Sequence, residues 1–289
     1  MILVRVAIVL PARKYLWEYY SRSYIQVTSS LYKTKMKKKI ILPILLLFLF
    51  LNFTEASAQV KSQNNNIWFH YFGKNMITKK TSVSFETVMR YANGFSEKQQ
   101  WFVRPSIDYQ FTKRFMGSLG YSHYNTYSYG NPAMNKINIP ENHVWIQGTY
   151  AIVSGDFKFV NRLRDEFRYV GVAVGQKDPV SNQTEYSIDH YDYRNRLRYL
   201  FLANYNLTKK DDKVKLFTFV GDEVFMNIGS NAGATFLNQN RIIGGFGYNI
   251  NAHHQIQLSY IHQHIWNYKN TIQEDNPTLR VSYITNFNL

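Results

Sequence analysis

Arginine recurs at every second position in two stretches of this 289-residue chain. In FKFVNRLRDEFRYV, from Phe157 to Val170, Arg162, Arg164, Glu166 and Arg168 share one parity, while Phe159, Leu163, Phe167 and Tyr169 share the other. In DYRNRLRYLF, Asp192, Arg194, Arg196 and Arg198 alternate in the same way with Tyr193, Leu197, Tyr199 and Phe201. A guanidinium stays charged at any accessible pH and presents a planar fork that matches a carboxylate or phosphate. A row of them can clamp an anion, line a path that favours anions, or knit a scaffold to carboxylates. Arg90, Arg104, Arg241 and Arg280 add further groups, with Glu86 beside Arg90, Asp108 beside Arg104, and Glu223 in GDEVFMN as acids of matching parity. An antiparallel pairing of the two rich stretches sets Arg168 opposite Asp192 and Glu166 opposite Arg194. It also sets Arg164 opposite Arg196 and Arg162 opposite Arg198, like charges that destabilise a sheet unless other acids or anions intervene.

Alternation at a period of two sorts side chains onto opposite faces of a strand. An aromatic face backed by an arginine face suits a transmembrane barrel, with lipid outside and a polar interior. Alternating segments run at about 64–75, 81–91, 99–111, 114–127, 142–153, 157–170, 189–207, 214–227, 236–250, 254–267 and 278–289. Their length of roughly ten residues fits a tilted strand crossing the hydrocarbon. Because bacterial single-chain barrels carry even strand numbers, the expectation is an all-β fold, a single antiparallel transmembrane β-barrel of 10–12 strands, with twelve favoured. Residues 112–114, 154–156, 208–213 and 251–253 read as tight periplasmic turns, and 128–141, 171–188, 228–235 and 268–277 as outer loops. Lysines such as Lys79, Lys113, Lys210 and Lys269 sit in these connections, and Tyr121, Tyr124, Tyr127, Tyr129, Tyr191, Tyr193, Tyr205 and Tyr268 near segment ends suit aromatic girdles.

Ahead of the strands, Met36 to Lys39 form a basic n-region, Ile40 to Phe53 an apolar h-region shorter than the ~20 residues of a spanning helix, and Ala56-Ser57-Ala58 a cleavage site. The expected organisation is therefore an unstructured, mis-assigned upstream start at 1–35, a signal peptide at 36–58, and an outer-membrane β-barrel at 59–289. Cysteine is absent, so the exported domain must hold itself by burial and paired strands. The net charge of +15 is not arranged as the mixed lysine and arginine stripe of a nucleic-acid reader, and nucleic acid is excluded as a partner. The terminal segment, with Leu279, Val281, Tyr283, Phe287 and Leu289 on one face, resembles the signal read by the barrel assembly machinery. Expected partners are that machinery, outer-membrane lipids and lipopolysaccharide, and a small anionic solute.

Catalysis by a serine needs a histidine within hydrogen-bond reach. Ser259 and His262, in QIQLSYIHQHIW, have opposite parity and point to opposite faces. His262 and His264 continue the face of Ile256, Leu258 and Tyr260, His123 is similarly outward, and His253-His254 reads as a solvated turn. No G-x-S-x-G or H-E-x-x-H motif occurs, so no catalytic residue, metal or cofactor is assigned.

Arg90, WFVRPSIDYQF, FKFVNRLRDEFRYV, DYRNRLRYLF, GDEVFMN, FLNQNRIIGGFGYNI and HQIQLSYIHQ together resemble the outer-membrane family known as domain of unknown function 2490. The resemblance implies a membrane-embedded barrel and carries no activity. It also implies an arginine where this chain has His143. The expected function is that of a structural or narrow porin-like outer-membrane protein with an arginine-rich interior favouring anions. The alternative is a lipid- or lipopolysaccharide-modifying hydrolase.

Overall fold

The computed structural model describes residues 60–211 and 213–287; the predicted upstream segment 1–35, the signal peptide 36–58 and Leu289 lie outside the described residues. Among the described residues all regular structure is strand: β1 (Val60–Gln63), β2 (Asn66–Met76), β3 (Thr81–Ala92), β4 (Glu97–Gln110), β5 (Phe115–Thr126), β6 (Ile139–Ser154), β7 (Phe157–Lys177), β8 (Thr184–Lys210), β9 (Lys213–Ile228), β10 (Leu237–Asn249), β11 (His254–Trp266) and β12 (Ile272–Phe287). Neighbours from β2 to β12 pair in chain order, and β12 then pairs with β2. Eleven strands thus close the barrel.

The closing seam corrects two expectations, the count of twelve and the wholly antiparallel sheet. In a meander with an odd number of strands the first and last run in the same direction, so their pairing must be parallel. Asn66 to Asn75 pair parallel with Thr278 to Phe287, and β1 extends the same register, Val60 to Gln63 against Ile272 to Asp275. The slanted parallel bonds satisfy both edges, and no even count is required for closure.

Tight connections gather at one end of the barrel (77–80, 111–114, 155–156, 250–253), and most of the longer ones at the other (127–138, 229–236, 267–271). The expected loops at 171–188 and 268–277 are mostly strand, because β7 and β8 continue as a paired hairpin past the length a bilayer needs, with a bulge at Val172/Ala173. At the hairpin tip the Val180 and Ser181 amides donate to Asp178 Oδ1 at 2.6 and 2.8 Å, which holds that carboxyl below its ordinary range.

Alternation decides which side each residue takes. Met89, Ile107, Leu119, Ile146, Leu163, Val220, Phe246 and Leu258 are exposed on the outer wall, while Arg104, Glu166, Arg198, Glu223, Gln263 and Asn276 are buried within. The interior is not wholly polar. Trp68, Val88, Phe102, Tyr124, Phe217, Phe219, Ile243 and Ile261 form an apolar cluster there, with Leu200, Leu202 and Val214 against it. Gly120 and Gly247 make room for this filling, since a side chain at either would collide with the ring of Trp145 or Phe217. Phe217, near the start of β9, is buried on the turn side of the interior.

Candidate functional site, an arginine-lined cavity

Two glutamates organise the interior charges. Glu166, fully buried on β7, accepts from Arg196 Nε and Nη2 at 2.9 and 2.7 Å and from Arg198 Nη1 at 2.6 Å, with Arg164 3.9 Å away. Glu223 on β9 accepts from Arg162 at 2.6 Å and Arg198 at 2.7 Å, and lies 3.6 Å from Arg241. Arg198 therefore joins the two hubs. Shared carboxylates of this kind offset the repulsion among guanidinium groups and the cost of removing them from water. Two smaller pairs complete the array: Arg104 with Glu86 at 2.6 Å, and Arg168 with Glu141 at 2.8 Å.

Aromatic faces take up the rest of the guanidinium surface. Arg90 lies 4.0 Å from the ring centroid of Trp68, Arg164 4.0 Å from that of Trp145, and Arg194 3.8 Å from that of Tyr268. Phe225 sits among Arg196, Arg198 and Arg241. Stacking of this kind is attractive and is stronger where water is excluded.

A cavity of about 880 Å³ occupies the interior. Arg90, Arg104, Arg162, Arg168, Arg194, Arg196, Arg198, Arg241 and Arg280 line it, against Glu86, Glu141 and Glu223. Met134, Lys136, Tyr268 and Lys269 bring its wall to the loop end, whereas Phe217, Asp108 and Gln147, deeper toward the turns, are not part of that wall.

Residues 65–274 match the family described as Protein of unknown function (DUF2490). The chain belongs to that family. The DUF2490 match spans β2 to the start of β12, and with it every interior arginine named above except Arg280. No curated protein matches the chain. Among solved structures it is similar to the CymD monoaromatic hydrocarbon channel, at 10% identity and a TM-score of 0.36. The similarity covers 66% of this chain and 66% of that one.

In the DUF2490 barrel the pairing of β7 with β8 is displaced by two residues from the expected register. Glu166 faces Arg196, Arg164 faces Arg198, and Arg168 faces Arg194. The displacement sets Glu166 between Arg196 and Arg198, where its two oxygens serve both. Asp192 consequently faces Val170 and pairs with Arg194 of its own strand at 3.2 Å. Glu86 serves Arg104 rather than Arg90, and Asp108 accepts from Ser82 and Ser84 rather than pairing with Arg104. Arg90 donates to Gln100 at 2.6 Å, and Arg280 to Ser259 at 3.1 Å.

Glu141 escaped the sequence reading because its strand was started at residue 142, although it shares the parity of His143, Trp145 and Gln147. His143, where the resemblance implied an arginine, is buried and bonded to Glu141 at 2.9 Å. Tyr124 and Tyr129, expected in an aromatic girdle, are instead buried inside, bonded to Arg104 and to Glu274, an acid that the alternation did not single out. The Tyr129 hydroxyl, from the loop 127–138, donates to buried Glu274 at 2.7 Å. Nothing in the periodicity of a loop reports such a contact.

The histidines divide by face. His262 is outside, 2.9 Å from Asp275, and His264 packs tilted against Trp266, ring centroids 4.4 Å apart. His123 bonds to Asn142. Inside, Ser282 Oγ lies 3.0 Å from His70 Nδ1, and His70 Nε2 lies 3.3 Å from Glu86. That order resembles a nucleophile, base and orienting acid. Ser282, however, is fully buried and is not part of the cavity wall.

Proposed function

We propose that this barrel sits in the bacterial outer membrane as a narrow, porin-like protein whose interior favours small anions. Support for the membrane comes from the outer wall, where rows of exposed Ile, Leu, Val, Phe and Met would be unstable in water. Soluble monomers seldom expose contiguous apolar patches beyond a few hundred Å². A signal peptide at 36–58 and a terminal strand with outward Leu279, Val281, Tyr283 and Phe287 fit export and assembly by the barrel machinery into a lipid and lipopolysaccharide bilayer.

One observation carries the anion reading: guanidinium groups on the cavity wall outnumber the carboxylates that reach them. Their field concentrates anions in a low-dielectric enclosure and repels cations. An eleven-stranded barrel is also narrower than the sixteen-stranded porins, so any conductance is small. The test is planar-bilayer recording under a salt gradient, with a reversal potential on the anion side. Arg90→Gln combined with Arg280→Gln should move it toward zero, because among the described residues these two have no carboxylate within ion-pair distance. A cation preference, or an anion preference untouched by the double substitution, would refute the reading.

A further inference from the structure

We infer that the cavity is a binding site for an organic carboxylate with a compact apolar body, its carboxylate held by Arg90 and Arg241 beside Trp68. This rests on the reading that the interior favours anions, and it names their class. Arg90 has a neutral hydrogen-bond partner, Gln100, and its Nε atom is buried with no acceptor among the described residues. Arg241 lies 3.6 Å from a glutamate already engaged by Arg162 and Arg198. Both guanidinium groups address the same indole, at 4.0 and 5.2 Å from its centroid, so they are no farther apart than the sum of those distances. A buried donor without an acceptor is costly, and a carboxylate bound there would satisfy it.

The remaining wall decides what the carboxylate is attached to. Val88, Phe102, Leu200, Leu202, Phe219 and Ile243 line the same cavity and belong to, or pack against, the interior apolar cluster. Inorganic phosphate or sulfate would leave this surface wet. An aliphatic or aryl body would cover it while the carboxylate meets the arginines, as ligand sites commonly combine an apolar lining with a few placed polar groups. The wall reaches Met134, Lys136, Tyr268 and Lys269 at the loop end, which gives the ligand a way in from that side.

The test uses the exported barrel in lipid nanodiscs, titrated calorimetrically with hexanoate, hexanol and inorganic phosphate against empty nanodiscs. Hexanoate should bind at least tenfold more tightly than either comparison probe. Arg90→Gln should weaken hexanoate at least tenfold, and Arg90→Lys by less. Arg241→Gln and Leu202→Asn probe the two sides separately should Arg90→Gln not assemble. Phosphate or hexanol binding as tightly as hexanoate would overturn the inference. Anion preference in the bilayer without hexanoate binding overturns it and leaves the porin reading standing, whereas the absence of both removes the two together.

Discussion

Glu166→Gln is the sharpest test of how the interior is held together. The carboxylate is fully buried and receives three charge-assisted bonds, two from Arg196 and one from Arg198, at 2.6 to 2.9 Å. Glutamine keeps the shape and one acceptor oxygen but turns an amide N–H₂ toward guanidinium donors and removes the charge. Hydrogen bonds to charged groups contribute about 1.5–3 kcal/mol each, and removing one member of a buried ion pair costs about 3–5 kcal/mol. Because Glu223 still serves Arg198, the loss should fall at the lower end, about 3 kcal/mol. With m-values of about 1–3 kcal/mol/M, that lowers the urea midpoint by about 1 M or more. Tryptophan fluorescence of barrel refolded into lipid vesicles reports the transition. Adding Arg196→Gln removes the stranded charge, so the double variant should recover part of the loss. A single variant within about 0.5 kcal/mol of the parent would show that the hub is not holding β7 to β8.

Other expectations follow from the same geometry. Tyr129→Phe deletes the donor to Glu274, should cost about 1–3 kcal/mol, and should speed amide exchange across 127–138; unchanged exchange would mean the loop is held by something else. Gly247→Leu drives a side chain into the Phe217 ring and should cost about 1–3 kcal/mol or block assembly, which refolding yield measures directly. The chain has no cysteine, so paired Phe69→Cys and Val281→Cys, directly opposed across the seam, should cross-link on oxidation, whereas Phe69→Cys with Phe287→Cys should not. Equal cross-linking of the two pairs would refute the parallel closure.

What the sequence disclosed follows from what a period of two can report. Parity alone assigns one face to Arg90, Arg104, Arg162, Arg164, Arg168, Arg194, Arg196, Arg198, Arg241 and Arg280, because side chains alternate along a strand. Partner choice was not legible. It depends on register and on strand tilt, and a displacement by two residues keeps every side chain on its face while exchanging all of its neighbours. Hence Glu166 acquired Arg196 instead of Arg194, and Glu86 acquired Arg104 instead of Arg90. The eleven alternating segments correspond to β2–β12, and only the even-number regularity of bacterial barrels argues for twelve. Aromatic residues at inward positions, Trp68, Phe102, Phe219 and Phe225, broke the expected separation of apolar from charged faces. They do so because a guanidinium stacks on a ring with little loss, so arginine and aromatic share an interior that lysine would not.

This division of partners also relocates the anion chemistry. By the sequence alone, the surplus charge belongs to Arg162, Arg164, Arg196 and Arg198, which oppose one another across a hairpin. In the folded barrel those four are the ones tied to Glu166, Glu223 and Gln147, and Arg164 is not on the cavity wall. Substituting them should change stability first. Among the described residues the groups with charge left over are Arg90 and Arg280, which have only neutral hydrogen-bond partners, and Arg241, which shares a glutamate with two others and faces the neutral Gln239 amide. Arg90 and Arg280 come from β3 and β12, beside the β12–β2 seam, while Arg241 on β10 lies midway between that seam and the β7–β8 hairpin. A field from these three is asymmetric about the barrel axis. An anion entering from the loop end is then drawn toward Trp68 and the apolar wall, and not held at the centre of the ion-pair array. Stability and anion recognition are consequently separable by mutation, with Glu166 and Glu223 governing the first and Arg90, Arg241 and Arg280 the second.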